Sequence, residues 1–187
     1  MHILPLTDSH ISHLSSLDGS FTADTYISPI FDGTAWHYLE KPLDTPYHKV
    51  YEDPTPEEAS VFIHDEDHIG YVAVCNGQIA GYILLLVSWN GYARVDDLRV
   101  DTPWRRNGIA RALLQAGENW ARQKGFFGLS LESQTCNPAA CKLYAAYGFT
   151  IGGADTMLYS ALPMPYTQET AIYWYYPFPH QSNPRAP

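Results

Sequence analysis

One stretch, HIGYVAVCNGQIAGYILLLVSWNGYARVDDLRV, constrains the fold of this chain more than any other part of its sequence. It holds two Asn-Gly pairs, Asn76-Gly77 and Asn90-Gly91, each between runs of β-branched and aromatic residues. An Asn-Gly pair in this setting is the strongest short-range signal for a tight hairpin, because both of its residues tolerate positive φ. The pattern therefore predicts three consecutive antiparallel strands, at about 67–75, 78–89 and 92–100.

Helical and extended patterns alternate downstream of these strands. A helix is predicted at about 106–124, ended by Gly125, and its apolar face consists of Ala110, Leu113, Leu114, Gly117, Trp120 and Ala121. The segment FFGLSLES predicts a strand, and NPAACKLYAAYG predicts a second helix with Asn137 as its N-cap and Gly148 beyond its end. Two further strands, FTIGGADTMLYS and AIYWYYPF, are separated by a loop that contains prolines.

The N-terminal part carries weaker signals. MHILPL predicts a short strand, and TDSHISHLSSLDG predicts a helix capped by Asp8 or Ser9. Residues 20–55 are rich in Pro, Asp, Thr and aromatic residues, which indicates loops with one or two strands, and PTPEEAS indicates a turn. Because no repeat or interdomain linker is visible, we expect one α/β domain over residues 1–187.

Charge and composition exclude several classes of protein. The 20 acidic and 11 basic residues give a net charge of −9, which argues against nucleic-acid binding and suits either a cationic substrate or solubility alone. The longest apolar run, IAGYILLLV, is too short to span a bilayer, and MHILPLTDSH lacks the basic region of a signal peptide. The three cysteines form no CxxC motif and the eight histidines show no metal-binding spacing. We therefore expect a soluble, cytoplasmic protein with reduced thiols, no membrane association and no metal.

The start of the helix predicted at 106–124 is a candidate anion site. Its sequence, RRNGIAR, places three guanidinium groups and a glycine where the first N–H groups of a helix lack intrahelical partners. The residues concerned are Arg105, Arg106, Gly108, Ala110 and Arg111. The stretch is neither a P-loop nor the GxGxxG dinucleotide motif, so a solvated helix start is the alternative.

Two motifs in this order, R-x-x-G-x-A and then N-x-x-A-x-x-x-Y-x-x-x-G-F, resemble the GCN5-related N-acetyltransferase (GNAT) superfamily over about residues 60–178. The resemblance implies a mixed, mostly antiparallel central sheet of about six or seven strands flanked by about four helices. It also implies that Arg105, Gly108 and Ala110 cradle the pyrophosphate of acetyl-CoA. The other cofactor positions that it implies are Leu98, Val100, Arg106, Asn107, Ile109, Arg111, Asn137 and Tyr144.

Three longer segments resemble the streptothricin (nourseothricin) acetyltransferases: LDGSFTADT, LSLESQTCNPAACKLYAAYGF and GADTMLYSALP…ETAIYWYYPF. The resemblance implies a monomer or homodimer that acetylates an amine of the β-lysine moiety of these cationic antibiotics. Two alternatives stay open. One is a GNAT enzyme for another amine, such as a polyamine, a protein lysine or a protein N-terminus, and the other is a non-catalytic acetyl-CoA binding module.

Amine acetylation requires a base and gains from an acid, because a lysine-type amine has an unperturbed pKa of about 10.4 and is protonated at neutral pH. The resemblance implies that Tyr144 is the acid, with a backbone N–H near Val100 for the oxyanion; the alternative is a tyrosine packed in the core. Glu132, Asp96 and Asp97 are the candidate bases, and a structural hydrogen bond is the alternative for Asp97. Strand alternation predicts that Asp96 shares a face with Leu98 and Val100.

Six residues are candidate contacts of the acceptor. The resemblance places LDGSF beside the acceptor groove, and the remaining candidates come from the hairpin tip and the segment after Gly153. The six are Asp18, Ser20, Phe21, Trp89, Asp155 and Tyr159.

Overall fold

The computed structural model describes residues 1–179, which form two compact units built from separate stretches of chain. The first unit takes residues 1–20, 50–129 and 177–179; the second takes residues 21–49 and 130–176. The single domain expected over residues 1–187 stays a prediction.

The first unit consists of four strands and three α-helices: β1 (His2–Pro5), α1 (Asp8–Leu14), α2 (Pro56–His64), β4 (His68–Cys75), β5 (Gln78–Val87), β6 (Ala93–Val100) and α3 (Ile109–Gln123). Its strands form an antiparallel sheet in the order β1-β4-β5-β6. The three consecutive strands expected from the two Asn-Gly pairs are confirmed.

The two Asn-Gly pairs make different turns. Asn76 and Gly77 have φ of 50° and 78°, as a two-residue hairpin turn requires. The second pair was predicted to make an equally tight turn, and this is wrong, because β5 ends at Val87 and β6 begins only at Ala93. There, Gly91 takes the left-handed conformation within a five-residue loop that is closed by a hydrogen bond from the Ser88 N–H to the Tyr92 carbonyl at 3.0 Å.

A β-bulge in β6 places Asp96 on a different face from the predicted one. Leu84 pairs with Asp97 and Leu85 pairs with Val95, so Asp96 is the extra residue of the bulged strand. The bulge shifts the alternation by one, and Asp96 does not share the face of Leu98 and Val100 as predicted. Its carboxylate instead lies 2.7 Å from the guanidinium of Arg94.

The helices α1 and α2 cover one face of this sheet, where the core cluster consists of Leu6, Leu14, Leu17, Ala59, Phe62, Val72, Tyr82 and Leu84. The segment PTPEEAS is not the predicted turn but the beginning of α2. Thr55 and Glu58 form a capping box, in which the Glu58 N–H donates to Thr55 Oγ1 at 3.2 Å and the Thr55 N–H donates to Glu58 Oε2 at 2.9 Å. In α1 the N-cap is Thr7, and not Asp8 or Ser9 as predicted.

Helix α3 begins at Ile109, three residues later than predicted, because Arg106 and Gly108 adopt positive φ and residues 102–104 form a single 3-10 turn. The predicted apolar face is buried, except that Ala110 at its start is only half-buried. Gly117 allows α3 to approach the sheet closely, since a Cβ at this position would lie 2.7 Å from Cδ2 of Leu85.

The second unit consists of five strands and one α-helix: β2 (Phe21–Phe31), β3 (Trp36–Lys49), β7 (Gly128–Gln134), α4 (Pro138–Tyr147), β8 (Thr150–Asp155) and β9 (Ala171–Pro177). Strands β2 and β3 form a long two-stranded hairpin, and the other three are sheet strands in the order β7-β9-β8. The predicted cap of α4 is confirmed, because the Asn137 side chain accepts a hydrogen bond from the Ala140 N–H at 3.1 Å. Strand β8 stops at Asp155, five residues before the predicted strand ends, because residues 156–162 form turns.

The predicted α/β class is confirmed. Besides the β2–β3 hairpin, the described residues contain four sheet strands in the first unit, three in the second, and four α-helices. None of the helices in residues 1–179 is long and apolar enough to cross a membrane.

Candidate active site

The turn before α3, residues 105–108, has the geometry of an anion-binding site. Arg106 and Gly108 have φ of 65° and 79°, and Gly108 is the N-cap of α3. Alternating left-handed residues turn successive N–H groups toward the same side of the backbone, at the positive end of the helix dipole. Arg106, Asn107 and Gly108 are all exposed, so a bound anion could reach this turn from solvent.

Arg105 makes its observed contacts within the protein. Its Nε donates to the Val100 carbonyl at 3.0 Å, Nη1 to the Ser20 carbonyl at 2.8 Å, and Nη2 to the Asp18 carbonyl at 3.0 Å. The guanidinium thus fastens the loop of residues 18–20 to the end of β6. Contact between Arg105 and a phosphate stays a prediction.

We expect Arg105→Ala to lower the free energy of unfolding by about 2 to 3 kcal/mol, since three carbonyls lose a charged donor. Urea denaturation measures the change. Arg106→Ala is the matched control, because its side chain is exposed and the change there should be much smaller. Equal losses in the two variants would contradict this role of Arg105.

The loop of residues 18–20 is shaped by its own carboxylate. Asp18 Oδ1 accepts from the Ser20 N–H at 2.9 Å, and the Asp18 N–H donates to Asp101 Oδ1 at 3.0 Å. The hydrogen bonds from Ser20, with a further one from Thr102, lower the pKa of the Asp18 carboxyl. Ser20 ends this loop and Phe21 begins β2; both are half-buried. The acceptor contacts predicted for these residues are not tested by this geometry.

The other predicted cofactor residues lie on two elements. Leu98 and Val100 share the face of β6 that pairs with Ile83 and Gly81, and both are half-buried. In the turn, the Asn107 amide donates to the carbonyls of Trp104 and Arg105, both at 3.1 Å. In α3, Ile109 is buried, Ala110 is half-buried and Arg111 is exposed.

Asp97 belongs to a partly buried polar network, in which Tyr82 and Arg99 are buried and Asp97 is half-buried. The Tyr82 hydroxyl donates to Asp97 Oδ2 at 2.5 Å, and Arg99 Nη2 lies 3.6 Å from the same oxygen. Arg99 also donates to Asp53 and, at 2.9 Å, to the Glu52 carbonyl. Burial raises the pKa of Asp97, while the hydrogen bond from Tyr82 and the charge of Arg99 oppose that shift. The structural hydrogen bond that was the alternative to a base is therefore present.

In the second unit the structure brings together two residues that the sequence singled out separately. The hydroxyl of Tyr159 donates to Glu132 Oε1, and the Gln134 amide donates to the Tyr159 oxygen at 3.0 Å and to Glu132 Oε1 at 3.4 Å. Burial, together with the hydrogen bond to Glu132, raises the pKa of Tyr159, so its hydroxyl stays protonated in the neutral range. Glu132 itself is exposed to solvent on β7.

Tyr144 lies on the buried face of α4 with Pro138 and Cys141. Its ring packs against Phe149 and Trp174, with centroids 5.8 and 6.2 Å away. The ring is thus held as in a core tyrosine, and the acid role of its hydroxyl stays a prediction. Asn137, two turns earlier, uses Oδ1 to cap α4.

The last two predicted acceptor contacts differ in setting. Asp155 Oδ1 accepts from the N–H groups of Met157 and Leu158 at 2.7 and 3.1 Å, which fixes the turn after β8. Trp89 is 95% exposed in the loop between β5 and β6.

Four side chains of these clusters were not among the predicted residues: Tyr82, Arg99, Asp53 and Gln134. Gln134 follows Glu132 by two residues in a strand, so alternation alone would have placed it on the same face. Tyr82 and Arg99 are cross-strand partners on β5 and β6, and their register depends on the five-residue loop between these strands and on the bulge. Within residues 1–179, no group of three or more His, Cys, Asp or Glu side chains could hold a metal ion, and all three cysteines are free and buried.

Comparison with known proteins gives one consistent answer. A profile of the acetyltransferase (GNAT) family matches residues 35–149. Streptothricin acetyltransferase A of Bacillus subtilis is 34% identical over 94% of this chain and 99% of its own, and the streptothricin acetyltransferase of Streptomyces lavendulae is 32% identical over 89% of each. A Bacillus anthracis protein designated a streptothricin acetyltransferase, crystallised with acetyl coenzyme A, superposes with a TM-score of 0.86 at 32% identity, covering 95% of this chain and 99% of that one. The chain therefore belongs to the acetyltransferase (GNAT) family.

Proposed function

We propose that this protein transfers the acetyl group of acetyl-CoA to an amine of the β-lysine moiety of streptothricin-type antibiotics. The observation that carries the proposal is the extent of the likeness, since 34% identity to a streptothricin acetyltransferase extends over 99% of that relative. Acetylation would remove a positive charge from the drug and thereby give resistance. An acidic protein with a net charge of −9 suits such a cationic acceptor.

The residues before α3 fit the pyrophosphate of acetyl-CoA. The left-handed residues Arg106 and Gly108 expose N–H groups beside the positive end of a 15-residue helix, and Arg106 adds an exposed guanidinium. Acetyl-CoA supplies the acetyl group as a thioester. We infer that the reaction takes place in the cytoplasm, where acetyl-CoA is available and where three buried thiols stay reduced.

Glu132 is the proposed base. The acceptor ammonium must lose one proton before its nitrogen can form a bond to the acetyl carbon, and an exposed carboxylate on β7 can take that proton. The C–S bond then breaks as the amide forms, and the nitrogen gives up its second proton. In the balance, one of the two protons ends on the CoA thiol and the other in solvent.

Tyr144 is the proposed acid, which protonates the leaving sulfur. Its ring is fixed between Phe149 and Trp174, so a hydroxyl on it has little freedom to move. A side chain held in this way can donate without the entropy loss of ordering a mobile group.

We expect Tyr144→Phe to lower kcat by about 100-fold, the lower range for loss of a general acid, while the KM for acetyl-CoA changes little. Tyr147→Phe on the same helix is the matched control and should retain nearly full kcat. Steady-state kinetics with both substrates varied measures the two constants. An unchanged kcat in Tyr144→Phe would remove this residue from the acid role.

The acceptor is tested by release of free CoA thiol from acetyl-CoA. Streptothricin, spermidine, a lysine peptide and a peptide with a free N-terminus are compared at equal concentration. We expect the largest kcat/KM with streptothricin, and mass spectrometry should locate one acetyl group on its β-lysine moiety. Turnover with another acceptor but not with streptothricin would contradict the proposal, and acetyl-CoA binding without turnover of any acceptor would indicate a binding module.

A further inference from the structure

The hydrogen bonds among Glu132, Gln134 and Tyr159 have a fixed direction. An amide N–H can only donate, so the Gln134 side chain donates to the Tyr159 oxygen at 3.0 Å. The Tyr159 proton is thereby left to point at Glu132 Oε1, which also lies 3.4 Å from the Gln134 amide. All hydrogen bonds that the Glu132 carboxylate accepts from described residues therefore go to one oxygen, Oε1.

The turn that carries Tyr159 is built by Asp155. Its Oδ1 accepts from the N–H groups of Met157 and Leu158. The Met157 carbonyl in turn accepts from the Ser160 N–H at 3.0 Å and from Ser160 Oγ at 2.7 Å. Asp155 and Ser160 thus hold the backbone on both sides of Tyr159, and the position of its hydroxyl depends on that turn.

We propose that Tyr159 is a positioning residue that clamps Oε1 of Glu132 and leaves Oε2 to take the proton of the acceptor amine, and that Asp155 acts through Tyr159 by holding its turn. This inference rests on the proposed function only in giving Glu132 the role of base. It replaces the substrate contact that the sequence suggested for both residues.

The polar atoms of Tyr159 and Asp155 already have hydrogen-bond partners within the protein, which favours a positioning role over contact with the substrate. The Tyr159 hydroxyl has one proton, which it donates in the hydrogen bond to Glu132, and its oxygen already accepts from Gln134. Burial and the adjacent carboxylate raise the pKa of Tyr159, which keeps this proton in place at neutral pH. One oxygen of Asp155 is likewise occupied by two backbone donors.

A double-mutant cycle on kcat tests the role of Tyr159. We expect Tyr159→Phe to lower kcat about 10-fold, the size of one lost hydrogen bond to a charged group, with less than about a 2-fold change in the KM of the acceptor. In a Glu132→Gln background the same change should lower kcat less than about 2-fold. Equal losses in both backgrounds, or a raised KM with unchanged kcat, would overturn the proposal.

Tyr173→Phe is the matched control. Tyr173 lies close enough to Glu132 that the carboxylate contributes to raising its pKa, yet the hydrogen bonds to Glu132 come from Tyr159 and Gln134. Loss of this second hydroxyl should leave kcat within about 2-fold of the wild-type value. A loss as large as that of Tyr159→Phe would mean that any nearby phenol is needed, which contradicts a specific clamp.

Two substitutions separate the turn-holding role of Asp155 from a charge that binds substrate. Asp155→Asn keeps an oxygen acceptor for Met157 and Leu158, so it should retain most of kcat, whereas Asp155→Ala should lose about as much as Tyr159→Phe. If Asp155 bound a cationic acceptor, Asn and Ala would both raise the KM of the acceptor, and that outcome would overturn the role proposed here.

Failure of this inference and failure of the proposed function give different results. The cycle is run with whichever acceptor turns over, so loss of streptothricin as acceptor changes the proposed substrate and not the clamp. Unchanged kcat in Glu132→Gln with every acceptor would end the base role and the clamp together. A lowered kcat in Glu132→Gln with an unaffected Tyr159→Phe would overturn the clamp alone.

Discussion

Replacing Glu132 with Gln should lower kcat by about 10²–10⁴-fold, the range that a general base contributes. The substitution keeps the size of the side chain and an oxygen that can accept from Tyr159, but it removes the ability to take a proton. The KM for acetyl-CoA should stay within about 2-fold of the wild-type value, because Glu132 is proposed to act as a base and not to bind the cofactor. Initial rates of thiol release, with each substrate varied in turn, measure both constants.

The pH dependence sharpens this expectation. The acceptor amine loses its own proton to solvent as the pH approaches about 10.4. At higher pH, an enzyme without its base therefore loses a smaller factor in kcat/KM relative to the wild type. The ratio of wild-type to Glu132→Gln kcat/KM should therefore fall as the pH rises from 7 toward 9. Glu66→Gln, in an exposed turn of the first unit, is the control and should match the wild type. A ratio that stays constant with pH would argue that Glu132 binds the acceptor and does not deprotonate it.

Lys49→Met should lower the free energy of unfolding by about 3 to 5 kcal/mol, because it leaves a buried carboxylate without its cation. The Lys49 ammonium lies 2.7 and 2.5 Å from the two oxygens of Glu169, and both side chains are almost fully buried. The Tyr47 hydroxyl donates to the same carboxylate at 2.5 Å. Burial and the charge of Glu169 also raise the pKa of the neighbouring Cys136 thiol to about 12.

Two further variants turn this expectation into a test of burial. Lys142→Met removes the ammonium of an ion pair with Glu40 that is largely exposed, so its effect on urea denaturation should be far smaller. The double variant Lys49→Met/Glu169→Leu should recover much of the loss, since two apolar side chains can replace a buried pair at little cost. Equal effects of Lys49→Met and Lys142→Met would show that burial of the first pair does not matter.

The parts of the fold that depend on local rules follow from the sequence. Asn76-Gly77 and the Asn137 cap each need only a few consecutive residues, and both were predicted. The capping box of Thr55 and Glu58 is equally local, and it was missed because two prolines beside it indicate a turn. Pro at the first position of a helix is favourable, so the same segment supports a helix start.

One or two strands were expected within residues 20–55, but the positions and the pairing of β2 and β3 were not predicted, for a different reason. Pro29, Pro42 and Pro46 lie within its strands, and proline is excluded from the middle of a sheet. Both strands of a two-stranded ribbon are edge strands, however, so a proline there removes no required hydrogen bond if its nitrogen faces outward. The sequence pattern of one strand does not reveal how many strands will pair, so it could not predict a ribbon of only two strands.

The sequence singled out individual residues of the candidate site, but it did not predict which of them are in contact. Glu132 and Tyr159 are 27 positions apart, and their hydrogen bond depends on the turn after β8, which the sequence suggested was a continuing strand. The bulge at Asp96 shifts the alternation by one residue and has no sequence signature of its own. The contacts of Arg105 could not be predicted from the sequence either. Its spacing matches a cofactor motif, but its three observed hydrogen bonds fasten the loop of residues 18–20 to the end of β6.

The discontinuous first unit has a consequence for synthesis on the ribosome. Its last described residues pack on its interior, where the Phe178 N–H donates to the Phe127 carbonyl at 2.9 Å and the Arg122 guanidinium lies 3.9 Å from the Phe178 ring. Chains emerge N-terminus first and fold as compact units become complete. This unit gains its final contacts only after Phe178 has emerged, and by then residues 21–49 and 130–176 of the second unit are also outside. Neither unit can be finished well before the other, so a nascent chain stalled short of residue 177 leaves apolar surface of the first unit uncovered.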